Sequence, residues 1–270
     1  MSQTPLRPLS VGEVLDVAFG IYRQHLATLI TIAVVLTGLP LLVFGAGAAV
    51  VAPALMGSIP TLVLVVLGFI VGYLVLTQLS MGATVLVIAE GYLGRSLSAT
   101  EAMRRTLDKL GMLVVSGLLV GLLVGLGMII GIILLFVPGI ILLCGLILTT
   151  QVVMLESPAG ATDAMGRAWR LSRGSRWRIL LLLLVALVLM VVVLMGTDLV
   201  VSLALGTPFI TPEPGKTPDL APLLVRQGIQ LVMNILVAPL PYCFLTVAYY
   251  DARVRKEGFD LELLAASLPT

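Results

Sequence analysis

Charge is scarce in this chain, and so are the residues that carry most enzyme chemistry. Charged side chains make up 11% of the 270 residues, against roughly 25% in soluble domains. Too few remain to wet the surface of an ordinary soluble fold, so that class is excluded. There is one histidine, His25, and there are two cysteines, Cys144 and Cys243. Both cysteines lie in apolar runs, which disfavours a disulfide or a thiolate metal site. No His, Cys or carboxylate cluster has ligand spacing, so a buried zinc site is disfavoured. A Ser-His-Asp arrangement would have to use His25, and no G-x-S-x-G elbow occurs. P-loop and dinucleotide fingerprints are missing too, and no cofactor is expected. A net charge of +2 makes nucleic acid a poor partner. The segment before residue 25 carries Glu13 and Asp16 without a short apolar core, so it does not read as a signal peptide.

What the chain has instead is apolar length. Hydrophobic residues make up 59% and mean hydropathy is +1.15. A bilayer span needs about 20 apolar residues. Six such stretches are predicted, near Leu26–Val51, Thr61–Ala89, Met112–Val137, Gly139–Leu155, Ile179–Leu205 and Leu223–Tyr249. The third and fourth form one run, divided by Pro138-Gly139, which is read as a hairpin turn. The proline-rich stretch from Gly206 to Pro222 is expected to be an extended loop.

Basic residues test this division. Arg7 and Arg23 precede span one; Arg95, Arg104, Arg105 and Lys109 lie between spans two and three. Arg167, Arg170, Arg173, Arg176 and Arg178 lie between four and five, and Arg253, Arg255 and Lys256 follow six. Only Lys216 and Arg226 fall on the other side, so 14 of 16 share one face. The positive-inside rule then puts both ends of the chain in the cytosol.

Three segments that precede odd-numbered spans resemble one another: Ser10-Val-Gly-Glu13, Ser98-Ala-Thr-Glu101 and Gly160-Ala-Thr-Asp163. Ser-x-x-Glu is a capping box, and Asp163 suits the positive end of a helix dipole. Apolar residues follow at helical spacing. The expected fold class is therefore all-α: six transmembrane helices as three hairpins, with three amphipathic cytosolic interfacial helices. It forms a single membrane domain of pseudo-repeats, about 10–90, 98–156 and 160–251. Arg104, Arg105, Lys109, Arg167, Arg170 and Arg173 are candidates to contact anionic headgroups or a partner, each worth about 1 kcal/mol near such a surface. The plain alternative is that they only set topology.

Each hairpin ends near an acid: Glu90, Glu156 and Asp251. These are candidates for salt bridges to Arg104, Arg167 or Arg253, or for a gating ring. Asp198 and Arg226 are placed to pair near the outer rim. Gln78, Gln151 and Asn234 are candidates for a polar cavity, or for plain interhelical hydrogen bonds. Glycines recur four apart at Gly117, Gly121 and Gly125, at Gly127 and Gly131, and at Gly68 and Gly72. Close helix packing is the commoner use of such rows, a glycine-lined path the sharper one.

Three stretches carry a family resemblance: Leu6 to Asp16 with Tyr22-Arg23; Pro138 to Leu142 with Glu156 and Ala164 to Leu171; and Tyr249 to Glu262. Over nearly the whole chain they resemble bacterial proteins of the glycerophosphoryl diester phosphodiesterase membrane-domain type. Where that family has Arg-Ser-Trp this chain has Arg167-Ala168-Trp169, so no role rests on that hydroxyl. The resemblance implies a six-span bacterial inner-membrane protein; it does not imply an enzyme, since the soluble phosphodiesterase domain has no room here.

The expected function is a non-enzymatic membrane scaffold or accessory protein that touches anionic lipid, a protein partner or a second copy through its basic helices. The rival is a transporter or channel for a small or lipidic solute. A third reading is an enzyme acting on phospholipid diesters. It has only Glu90, Glu156, Asp251 and His25 to work with, and a metal-free mechanism is hard to build from them.

Overall fold

A computed structural model describes residues 7–42, 59–132, 134–206 and 220–258, and among these the chain is helical with no strand. α1 (Val11–Gln24) meets α2 (Leu26–Ala33), which continues through a π-helical turn, Val34–Gly38, to Leu42. α3 (Ile59–Tyr92) and the short α4 (Ala99–Leu107) follow, then α5 (Leu110–Gly131), α6 (Val137–Leu146) and α7 (Thr149–Glu156). The chain goes on through α8 (Ala161–Ser172), α9 (Arg176–Leu205), α10 (Leu220–Val237) and α11 (Leu240–Glu257).

Five helical stretches are long and apolar enough to cross a membrane: Pro60–Tyr92, Leu110–Gly131, Val137–Glu156, Arg176–Leu205 and Leu224–Glu257. A sixth exists if α1 and the Leu26–Leu42 stretch, bent by 76° at their junction, count as one. The bend falls at His25, the boundary between the capped, half-polar α1 and the apolar stretch that follows. The expected loop from Gly206 to Pro222 lies mostly outside the described residues; at its far end Pro222 is already inside α10.

Two of the spans are broken, and side chains take over the freed backbone groups. Val137–Glu156 comprises α6 and α7, and the Thr149 hydroxyl donates to the Leu146 carbonyl across the break at 2.6 Å. Leu224–Glu257 comprises α10 and α11. Pro239 and Pro241 have no N–H to give to the end of α10. At the same break the Tyr22 hydroxyl donates to the Leu236 carbonyl at 2.6 Å.

The hairpin between Leu110–Gly131 and Val137–Glu156 turns a few residues before Pro138-Gly139. α5 ends at Gly131 and the turn runs to Phe136, with left-handed backbone at Leu135 (φ 53) and Phe136 (φ 61). Pro138 sits in the first turn of α6, where a missing N–H costs nothing. Glycines make this turn possible. A Cβ on Gly131 would come within 2.7 Å of the Phe136 backbone, and one on Gly139 within 2.8 Å of the Met128 nitrogen. Gly117, Gly127 and Gly131 therefore sit at close contacts, whereas Gly121, Gly125, Gly68 and Gly72 have nothing within 4 Å of an added Cβ.

The core lies at one end of the bundle. α11 runs through it, packed by α1, α3, α8 and α9, with Cys243 to Ala252 buried. Phe19 meets Phe244 edge-on at 5.4 Å, and Tyr92 stacks on Tyr250 at 4.7 Å. Both geometries are favoured for ring pairs.

Candidate functional site

The three acids that end the hairpins gather around the last turns of α11, each in a different polar cluster. Asp251 is 5% exposed. Its carboxylate accepts from the Leu9 N–H at 2.7 Å, from Arg178 at 2.8 Å and from Arg255 at 3.0 Å. Both arginines also donate to the Leu9 carbonyl at 2.6 Å. One carboxylate thus fixes the start of α1, the start of α9 and the end of α11. Leu9 and Val14, the two positions of a hydrophobic staple, are both buried. Next to them Ser10 and Glu13 form the complete capping box. The Ser10 backbone N–H and then the Arg7 guanidinium hold the Glu13 carboxyl at about 2, below its ordinary 4.5.

Glu156, at the end of α7, accepts from Arg167 of α8 at 2.6 Å and from the Tyr249 hydroxyl of α11 at 2.7 Å. Arg167 also forks onto Glu257, which accepts from Arg253 at 3.2 Å as well. The bond to Glu257, then that to Glu156, holds the Arg167 guanidinium in its charged form more firmly than usual. Glu90 is more loosely held, with Arg95 at 3.5 Å and Arg105 at 3.7 Å. Arg105 also bonds Glu101 at 2.8 Å, one helical turn away. The Glu101 N–H, in turn, donates to the Ser98 hydroxyl. Gly160 has no side chain to cap α8.

The six basic candidates divide. Lys109 caps α7, donating to the carbonyls of Val153 and Met154 and to the Ser157 hydroxyl at 2.7–3.1 Å. A cation there suits the negative end of the helix, although burial lowers the pKa of its ammonium. Arg167 is committed to the two glutamates. Arg104, Arg170 and Arg173 are exposed, and their side chains form no ion pair or hydrogen bond among the described residues.

The polar candidates lie on three different helices. Gln78 on α3 lies half-buried against Gly117 of α5. Gln151 on α7 is 1% exposed, with its Oε1 unpartnered. Asn234 is exposed on α10, which packs on α9 and on the stretch after α1. Asp198 and Arg226 do meet, at 2.5–2.6 Å through two hydrogen bonds. Among the described residues no three His, Cys, Asp or Glu side chains gather to hold a metal.

Several members of the polar end escaped the sequence reading. Arg255 lies four residues after Asp251 and Glu257 four after Arg253, spacings that signal helical ion pairs. Arg178 and Tyr249 reach partners 73 and 93 residues away, for which no local pattern exists. The chain has no match among curated proteins and none among solved structures. One family model covers residues 9–252, every helix above apart from the final turn of α11, and the chain belongs to that family, described as a domain of unknown function (DUF7847).

Proposed function

We propose that this is a non-enzymatic, multi-pass protein of a bacterial inner membrane, acting as a scaffold or accessory subunit. On this reading its six spans form three hairpins, with both ends of the chain in the cytosol. α1, α4 and α8 lie along the cytosolic interface and hold anionic headgroups or a partner. The resemblance to the glycerophosphoryl diester phosphodiesterase membrane domain enters as kinship of architecture only.

One observation carries the reading. Each short helix buries one stripe and exposes an arginine that has no partner among the described residues. The stripes are Val14, Ala18 and Ile21 on α1; Ala102 and Thr106 on α4; and Ala164, Ala168 and Leu171 on α8. The arginines are Arg23, Arg104 and Arg170. Cations left over after the buried carboxylates are neutralised suit a surface of phosphates.

The test is native mass spectrometry of the full-length protein from mixed bilayers. Wild type should retain phosphatidylglycerol over phosphatidylcholine. Changing Arg23, Arg104 and Arg170 to Gln should cut that preference about fivefold per charge; an unchanged preference overturns the reading. Orientation is checked with single cysteines at Arg95→Cys and Gly174→Cys, since Cys144 and Cys243 are buried. Both should label from the same side, and labelling from opposite sides would break the six-span division. The transport reading calls for Gln78, Gln151 and Asn234 to share a cavity, and an exposed Asn234 gives it little support.

A further inference from the structure

We propose that the junction between α8 and α9, closed by the last turn of α11, binds the phosphate group of an anionic ligand, which a lipid headgroup supplies. The inference deepens the reading above and rests on it for the lipid source.

Three cations meet here, and none of them enters an ion pair among the described residues. Lys256 on α11 donates to the Arg170 carbonyl at 3.0 Å and to the Arg173 carbonyl, so it is anchored on the end of α8. Arg173 and Arg176 lie close enough to repel its ammonium. Arg176 lies over the Trp169 ring, 3.9 Å from its centre. Its Nε is buried with no hydrogen-bond partner, and its side chain enters no ion pair among the described residues. An unpaired buried donor is costly. The carboxylate that acts on Lys256 is Glu257, and both of its oxygens are already taken by Arg167.

This trio departs from the pattern of its surroundings. Arg167, Arg178, Arg253 and Arg255 each meet an acid. The backbone adds to the same sign. Gly174 (φ +83) turns the chain directly into α9. The first turn of that helix has no acidic residue, and Ser175 makes no side-chain cap. The positive end of a 30-residue helix therefore adds to the charge of Arg176, its first residue. Arginine and lysine beside free backbone N–H groups is the recurring chemistry of phosphate recognition.

Two features favour a lipid as the source. Trp177 is 83% exposed, as tryptophans at a membrane interface are. Beside it a crevice runs between α1, α9 and α11. Val14, Ile179, Leu182 and Ala248 give it apolar walls, Ser175 lines it too, and the Arg178–Asp251 pair lies within it. The recess has room for about one water, so an acyl chain would lie along the outside of α9 beside Trp177, and the bonded Asp251 presents no free carboxylate to repel the headgroup.

The experiment compares full-length wild type with Arg173→Gln/Lys256→Gln, and with Arg173→Gln alone. The single variant guards against misfolding, because the exposed Arg173 side chain bonds nothing among the described residues. One arm measures phosphatidylglycerol retained from mixed bilayers. The other measures the thermal shift that inorganic phosphate gives the detergent-purified protein. Retention should fall about fivefold for each charge removed. If phosphate stabilises wild type but not the double variant, and no anionic lipid is preferred, the anion site stands and the interfacial reading falls. If both variants hold lipid as wild type does, and only Arg23, Arg104 and Arg170 matter, the interfacial reading stands and this site is overturned. The site is equally overturned if neither probe separates wild type from the variants.

Discussion

Between Leu62 and Val71 nearly every side chain of α3 is exposed; between Leu79 and Ala89 nearly every one is buried. Both halves are built mainly of Leu, Val, Ile and Gly, the first with Phe69 and the second with Met81, two alanines and the small polar residues Ser80 and Thr84. What differs is the company they keep. The second half packs on α4, α7 and α11, and the ends of α7 and α11 are held by Glu156, Asp251, Arg167 and Arg178. The first half has few neighbours, and α9 and α10 are alike in exposing Leu184, Leu187, Val188, Val192 and Leu224. Acyl chains are as apolar as leucine, so in a bilayer hydrophobicity does not draw these surfaces together. Cohesion then comes from packing and from hydrogen bonds with few competitors. The polar end has both.

If that contrast is sound, the largest loss follows from breaking the buried cluster. Asp251→Leu leaves two arginines and the Leu9 N–H without their acceptor. Removing one partner of a buried pair costs about 3–5 kcal/mol, read as a lowered thermal midpoint in detergent. Asp198→Leu removes the pair at the other end, where the carboxylate is more exposed, 19% against 6%. Its cost should stay near about 1 kcal/mol. Equal losses at the two sites would erase the distinction between the ends.

A smaller effect comes from adding one methyl group. A Cβ on Gly145 would lie 2.3 Å from the Trp169 ring, which Arg176 covers. Gly145→Ala should therefore cost about 1–3 kcal/mol by overpacking. Gly121→Ala, with nothing within 4 Å, should leave the midpoint unchanged or slightly raised. A destabilised Gly121→Ala would reveal a neighbour on that face beyond the described residues.

Much of this architecture was legible and much of the site was not, for different reasons. Hydropathy marks a span because its cause is local: some twenty consecutive residues share one environment. So α3 and α9 begin within three residues of where the apolar run predicts, and the junction at His25 falls where polar spacing stops. Pro138-Gly139 signalled a real hairpin, yet the turn forms earlier because Gly127, Gly131 and Gly139 let two backbones touch. That contact depends on residues from both helices at once. Pro239 was visible but was read through as part of one span; the Tyr22 hydroxyl that meets the Leu236 carbonyl at this break comes from more than two hundred residues away, and no local pattern announces it. The acids Glu90, Glu156 and Asp251 stood out by position. Which cation each one takes follows from the packing of α8, α9 and α11, and no spacing encodes that. The same packing separates Lys109 and Arg167, spent internally, from Arg104, Arg170 and Arg173, which the sequence presents as equals.

The mildest test lies at the edge of the polar end, where α1 is held twice. Leu9 is tied by the buried Asp251, whereas the capping box of Ser10 and Glu13 faces solvent. The folded chain holds the Glu13 carboxyl at about 2 rather than 4.5, so it binds its proton less readily than the unfolded chain does. The capping contribution is then complete above pH 4.5 and fades as pH falls toward 2. Amide hydrogen-exchange protection of residues 11–24, corrected for intrinsic rates, should decline as pH is lowered from about 5 to about 3. In Glu13→Gln the same residues should start less protected and show a flatter dependence. Protection that falls identically in both proteins would mean that the exposed box contributes nothing, and that the buried Leu9–Asp251 link alone holds the helix.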